Sequence, residues 1–386
     1  MPVLLAALGA LLMSLDSAIN IALPAMAAGF EVGAPAIRWV IICYVLTYAL
    51  TAFAAGLLAD RLGPRPVFAT GLWLSALAFL GYALADSYAW VLLLRVAQGL
   101  GGGLVYGTAP ALVTLSLPRE FHGRGLGTMG LGLGIGLGTG PLIGGLLLQS
   151  FGWSATFLFR APLFVAVAVL AHVGLGAVGD GAAAPRGVTL SDLFRLPVLR
   201  AAAMAFLSNH AQFTVWLLMP FFLVGPLGLS ASLGGLVFAL TPLGAALAAP
   251  LGGRATDRIG PYAPLVGGLV LEVAGLLAIA RTTTETPLPL IGAGMALVGL
   301  GVGLFQVPNL AQMMAAFPSA QQGVAGGLGF LSRTLGSAMG VQISAALFEA
   351  RLARDGFLPA FHGAFLAAGL VCTLAVVVAL LPGRTR

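Results

Sequence analysis

The chain has 386 residues, 59% hydrophobic and only 8% charged. Soluble domains carry about 25% charged residues, so a chain this long cannot cover its own surface in water. That excludes a soluble globular enzyme, a nucleic-acid binder and a disordered protein.

A membrane helix needs about 20 mostly apolar residues. Twelve such stretches follow in chain order: 3–27, 38–59, 66–85, 89–117, 125–149, 155–178, 198–224, 232–253, 262–281, 288–313, 324–347 and 360–382. The runs are long and continuous rather than alternating, which argues against a transmembrane barrel. The first lacks a basic leader region and continues past Asp16 without a convincing cleavage site, so it reads as an uncleaved span. Most connections are short. The segment 179–197 is polar, with Asp180, Arg186, Asp192 and Arg195. It divides the chain into an N-terminal half (1–178), a linker (179–197) and a C-terminal half (198–386), each of six spans. With both termini in the cytoplasm, the inside segments carry most of the arginines outside the spans. Arg61, Arg65, Arg119, Arg124, Arg254 and Arg258 are among them, against Arg38, Arg281, Arg351 and Arg354 outside.

All 18 basic residues are arginine, and the net charge is +6. No basic cluster with interleaved aromatics appears, so nucleic acid is not an expected partner. Cys43 and Cys372 lie far apart, each in an apolar run, with no metal-ligand spacing and no expectation of a disulfide. With no lysine there is no Walker-type phosphate loop. Four scattered histidines and the absence of His-Glu-x-x-His argue against an intramembrane enzyme. No cofactor is expected.

The halves repeat. Gly56-Leu-Leu-Ala-Asp60-Arg61-Leu-Gly63-Pro64-Arg65 follows the second span, and Asp257-Arg258-Ile-Gly260-Pro261 follows the eighth. Gly99, Gly101 and Gly103 of the fourth span match Gly299, Gly301 and Gly303 of the tenth. Gly123, Gly127, Gly136 and Gly140 match Gly323, Gly327, Gly336 and Gly340 at the same offset. Two parallel six-span halves imply an all-α transporter with its site between them near mid-membrane.

Several residues carry candidate mechanism. Asp16 lies inside the first span, where a carboxylate must face a partner or a wet cavity; Arg95 is its natural partner. The pair reads either as a proton-coupling site or as a permanent structural ion pair. Glu272, in the ninth span, reads as a proton site or as a local hydrogen-bonding group. Arg160 is expected to snorkel outward or pair locally. Gly132, Gly136, Gly140 and Gly144 recur every four residues and share a helix face with Pro141 following, which reads as a tight sliding contact between halves or as ordinary close packing. The candidate substrate surface comprises Tyr44 and Tyr48 on the second span, Gln98 on the fourth, and Asn209, His210, Phe213 and Trp216 on the seventh. Gln306 and Asn309 on the tenth and Arg333 on the eleventh complete it. Aromatic faces with few polar groups suit amphiphilic or aromatic compounds, and helix–helix bonding is the alternative for each.

These motifs together resemble the major facilitator superfamily over essentially the whole chain, in a twelve-span form. Gly56 to Arg65 is similar to that family's loop between spans two and three, and Arg95-Val-Ala-Gln98-Gly99 to its fourth-span motif. Gly136-Leu-Gly-Thr-Gly140-Pro141-Leu-Ile-Gly144-Gly145 resembles the fifth-span motif of drug:proton antiporters. Leu15-Asp16, Ala22-Leu23-Pro24, Trp153 to Pro162, Gln306-Val-Pro308-Asn309 and Arg333-Thr-Leu-Gly336 fit the same branch. Pro64 and Pro66 flank Arg65 where the family often has a denser basic run. The first span begins almost at Met1, where the family has a short tail; a truncated start would account for this.

The resemblance implies a proton-coupled antiporter exporting small hydrophobic or amphiphilic compounds by alternating access, monomeric, in the bacterial inner membrane. Asp60, Arg61 and Arg65, with Asp257 and Arg258, would stabilise one access state. The alternative on the same fold is a symporter or uniporter of a small metabolite or organic anion, kept open by Arg95 and Arg333.

Overall fold

The computed structural model describes residues 1–32, 34–37, 39–175 and 190–381. Every regular element among them is helical. A long helix lies at each of the twelve expected spans. The first, α1, is broken: Pro2–Ser14, a 3-10 turn at Leu15–Ala18, then Ile19–Gly29. Next come α2 (Trp39–Leu62), α3 (Pro64–Gly81), α4 (Tyr88–Ser116), α5 (His122–Phe151) and α6 (Arg160–Gly174). The second series is α7 (Leu196–Val224), α8 (Leu240–Ile259, after a short helix at Ala231–Phe238), α9 (Tyr262–Ile279), α10 (Leu288–Ala315), α11 (Gln322–Asp355) and α12 (Phe357–Leu380). Of the expected linker, 179–189 lie outside the described residues; the rest begins with a short helix, Leu190–Leu193.

Nine of these helices, with α6 counted from Ala155 and α8 from Leu233, are long and apolar enough to cross a membrane, or ten if the bent pair in α1 is one span, among the described residues. The other two, α7 and α11, are long enough but more polar. Asn209, His210 and Gln212 interrupt the middle of α7, and α11 runs on beyond its expected end through Glu349, Arg351, Arg354 and Asp355. At 1.5 Å per residue its 34 residues extend about 51 Å.

The helices form two compact units. One holds the described residues of Met1–Val188 with Met314–Leu331, so it takes in α1–α6, the end of α10 and the start of α11. The other holds those of Thr189–Met313 and Ser332–Arg386. In the first, the glycines of α4 rest on α2: Gly99 against Thr47 and the Tyr44 carbonyl, Gly103 against Thr51, Gly107 against the Ala52 carbonyl. In the second, Gly299 and Gly303 of α10 rest in the same way on the Thr241 and Ala245 carbonyls of α8. The repeated glycines therefore perform one packing task twice, bringing two backbones closer than any Cβ would allow.

The glycine face of α5 takes the second of its two expected readings. Gly132, Gly136, Gly140 and Gly144 lie against Ala7, Leu11 and Ser14, Ser17, and Ala18 of α1. This is close packing inside the first unit rather than a sliding contact between halves, because α1 presents its own small residues to them. Gly145, on another face, meets only Ile21. Gly336 and Gly340 of α11 pack correspondingly on Phe206 and His210 of α7.

Aromatic rings pack in the core of the first unit, Tyr82 stacked on Phe157 at 3.8 Å and Phe79 tilted against Phe164 at 5.0 Å. In the second, Phe222 stacks on Phe361 at 4.7 Å, and Phe365 meets Phe361 tilted at 4.6 Å. Leu46, Leu50, Leu77, Leu146, Val173, Leu247 and Leu370 are exposed, and hydrocarbon is a more compatible solvent than water for such side chains.

Candidate coupling and substrate site

The site begins with the break in α1. Ser14 Oγ donates back to the Leu11 carbonyl at 2.9 Å, a bond that bends helices. Ser17 Oγ donates to the Leu137 carbonyl of α5 at 3.2 Å. Between them the 3-10 turn carries Asp16 among α4, α6 and the end of α3. Arg95 meets its carboxylate with two bonds, Nη1 to Oδ1 at 2.8 Å and Nη2 to Oδ2 at 2.9 Å. Gln98 Nε2 donates to Oδ1 at 2.7 Å, and Arg160 Nη1 donates to the same oxygen at 2.9 Å. Gln98 Oε1 in turn accepts from Arg95 Nη1 at 3.0 Å and from the Tyr82 hydroxyl at 3.2 Å.

Both arginines are buried, at 1% and 0% side-chain exposure, whereas Asp16 retains 14%. The ion-pair group thus holds two guanidiniums for one carboxylate. The surplus positive charge is met by dipoles and ring faces. Arg95 Nε donates to the Val40 carbonyl, and its guanidinium lies 4.3 Å from the Tyr44 ring centre. Arg160 donates to the Thr156 carbonyl at 3.3 Å and lies 4.2 Å from the Phe79 ring centre. Such cation–π contacts gain strength where water is absent. Of the two expectations for Arg160, snorkelling outward and local pairing, the structure shows the pairing: its guanidinium turns inward onto Asp16 and the Phe79 ring.

Tyr44 and Tyr48 stand 4.9 Å apart in an aromatic group that the structure completes with Tyr106 and Phe330. Tyr106 and Phe330 stack at 4.4 Å. Both were missed in the sequence because no spacing links α4 with the first turns of α11. Gln98 belongs to the Asp16 cluster rather than to an open surface.

In the second unit, Phe213 and Trp216 stack at 6.1 Å, and Trp216 meets Phe238 edge-on at 5.1 Å. Asn209 donates to the Ala205 carbonyl of its own helix at 2.8 Å, and Asn309 to the Ala201 carbonyl at 3.2 Å. Both are buried with His210. The Asn309 bond joins α10 to α7, whereas the Asn209 bond stays within α7. Gln306 and Arg333 are half-buried on α10 and α11.

The charged loop after α2 is resolved bond by bond. Asp60 Oδ1 accepts from the Gly323 amide at 2.6 Å and Oδ2 from the Val324 amide at 2.9 Å, so a side chain from α2 caps the first turn of α11. Gly56 lies against the Gly323 backbone. Arg65 donates to the His172 carbonyl near the end of α6 at 2.8 Å. Arg61 and Arg258 are exposed, and Asp257 is half-buried. Gly63 and Gly260, the matching glycines of the two loops, share positive φ values of 86° and 83°, a backbone open essentially to glycine. Gln322, another residue missed in the sequence, accepts from Thr114 Oγ1 at 3.0 Å and donates to the Met314 and Phe317 carbonyls at 2.8 and 3.0 Å.

Comparison with known proteins adds the lineage. The chain is 28% identical to the tetracenomycin C resistance and export protein of Streptomyces glaucescens, covering 91% of this chain and 76% of that protein. It is 27% identical to the multidrug resistance protein Stp of Mycobacterium tuberculosis, over 89% and 75%. It is 24% identical to the riboflavin transporter RibZ of Clostridioides difficile, over 89% and 87%. Among solved structures, the human organic anion transporter MFSD10 superposes with a TM-score of 0.78 at 18% identity, covering 98% of each chain. The Escherichia coli fucose:proton symporter FucP gives 0.78 at 17%, covering 99% of this chain and 98% of that one. The family profile described as Major Facilitator Superfamily matches residues 5–341 and, in a second match, 201–386. With its helices, repeated loops and buried charge cluster, the chain belongs to the Major Facilitator Superfamily and is a multi-pass membrane transporter.

Proposed function

We propose that this transporter is a proton-coupled antiporter that exports small hydrophobic or amphiphilic compounds. The observation that carries the proposal is Asp16, a partly exposed carboxylate at the break of α1, ringed by Arg95, Arg160 and Gln98. A proton arriving at Asp16 neutralises the carboxylate and weakens its hold on both arginines. That links protonation to the packing of α1, α4 and α6. The aromatic group of Tyr44, Tyr48, Tyr106 and Phe330 adjoins this cluster through Tyr44 and supplies flat apolar faces to a substrate. Phe213 and Trp216 offer similar faces in the second unit. Export relatives such as the tetracenomycin C protein and Stp support the direction of transport. The two halves alternate access, with Asp60 and the loop of Arg61 and Arg65 favouring one state. The protein works as a monomer in a bacterial inner membrane, with both termini in the cytoplasm.

The test is transport in proteoliposomes with an imposed pH gradient, following a fluorescent lipophilic cation and internal pH together. Wild type moves the cation against proton flow, and folded Asp16→Asn does not. Coupling retained in Asp16→Asn removes Asp16 from the mechanism.

A second reading, transport of an organic anion or small metabolite by symport or uniport, has one observation in its favour: two arginines face a single carboxylate. In the same liposomes a lipophilic anion moved in place of the cation selects it.

A further inference from the structure

The second unit contains a carboxyl that the Asp16 cluster does not use. Glu272 on α9 is fully buried. Its Oε2 accepts a bond from Ser208 Oγ of α7 at 2.8 Å, and Oε1 has no hydrogen-bond partner among the described residues. Cys372 of α12 lies beside the same turn, its Sγ 4.0 Å from the Leu269 carbonyl. On the α10 side the wall is closed. A Cβ on Gly301 would strike the Glu272 amide nitrogen, and Gly268 and Gly275, one turn to either side, approach α10 as tightly.

The ionisable groups on the surrounding helices lie elsewhere. Helix α10 has none. On α12, His362 is ten residues from Cys372 and pairs with the Thr282 carbonyl. On α7, Arg200 bonds the carbonyls at the end of α12, and His210, two residues past Ser208 and so on the other side of the helix, packs on Gly340. On α8, Arg254, Asp257 and Arg258 occupy the last two turns. Glu272 thus has no cation to pair with among the described residues. An ionised carboxylate is strongly disfavoured in such surroundings, whereas the neutral acid needs only hydrogen bonds.

We propose that Glu272, with Ser208 and Cys372 around it, is a second proton-binding site of this transporter. Glu272 holds a proton while the α9–α10 seam is closed. It releases that proton to water when the seam admits water, leaving a carboxylate, and regains it from water afterwards. The role in transport rests on the proton-coupled reading above; the proton binding itself does not.

Infrared difference spectroscopy of the whole protein in lipid, with the bath pH stepped, reads the carbonyl-stretch band of a protonated carboxylic acid. Wild type should show such a band at neutral pH and lose it reversibly on alkalinisation. The band should be absent from Glu272→Gln and present in Asp16→Asn. Ser208→Ala should shift it to higher frequency by removing the donor to Oε2. A band unchanged in Glu272→Gln overturns the proposal, and so does a band that never titrates, since Glu272 is then a fixed structural acid. If Glu272→Gln does not fold, Ser208→Ala decides, and an unshifted band overturns the assignment. No substrate is needed, so a failure of wild type to couple cation and proton movement counts against antiport alone.

Discussion

Arg160 Nη1 lies 2.9 Å from Asp16 Oδ1 although 144 positions separate the two residues in sequence. With Arg95 on the same oxygen, the carboxylate is shared by two buried cations. Removing different members of this trio therefore has unequal effects. Asp16→Asn leaves two guanidiniums without a countercharge and should cost about 3 to 5 kcal/mol of stability, the usual penalty for an uncompensated buried charge. Arg160→Met leaves Asp16 with its two-bond partner and zero net charge. Its cost should be nearer about 2 kcal/mol, the worth of a hydrogen bond to a charged group. Thermal unfolding of the purified variants ranks them, and the reverse order would show that Arg160 supports the fold through more than its bond to Asp16.

Arg95→Lys keeps the charge and loses the shape. One ammonium cannot reproduce the paired bonds to both Asp16 oxygens, the bond to the Val40 carbonyl and the flat contact with Tyr44. Gradient-driven transport should fall at least tenfold while the protein stays folded. Initial rates at matched expression check this, and near-wild-type transport would mean that only the positive charge at residue 95 matters.

The architecture was legible in the sequence because a membrane imposes it. Each apolar run had to be a helix, and each repeated Asp-Arg-x-Gly-Pro loop had to turn in the same way, as Gly63 and Gly260 do. The Asp16–Arg95 pair was legible because a carboxylate in a span demands a partner. For Arg160 the sequence leaves snorkelling and local pairing both open and does not name Asp16 as its partner, since nothing in a sequence tells an inward arginine from one that snorkels. The α5 glycines announce a close-packing face, but their neighbour α1 is not legible, because periodicity names a face and leaves open what it touches. Gln322, Tyr106 and Phe330 left no signal at all, because their contacts join segments with no shared period.

Asp60 acts on the first turn of α11 through two amide bonds. Replacing it with Ala removes a charged cap and should cost about 1 to 2 kcal/mol, and Asn, which keeps one acceptor oxygen, should cost less. Amide hydrogen exchange at Gly323 and Val324 gives the local reading. Faster exchange in Asp60→Ala, with the rest of α11 protected, is the expected result; unchanged exchange would remove the cap from the account of this loop.

Two glycines of one motif separate packing from resemblance. A Cβ on Gly136 would overlap Ser14 Oγ and the Leu11 carbonyl, whereas a Cβ on Gly145 comes no nearer than 4.0 Å to Ile21 Cδ1. The Leu11 carbonyl is main chain and cannot rotate away, so Gly136→Ala must push α1 off α5. That displacement starts one turn from Asp16, so it should both destabilise the protein by about 1 to 3 kcal/mol and weaken proton coupling. Gly145→Ala should leave stability and coupling within error of wild type, since alanine is also the better helix former. Thermal unfolding and the liposome assay read the two quantities separately. If both substitutions damaged transport equally without loss of stability, the motif would act through something other than the α1–α5 contact.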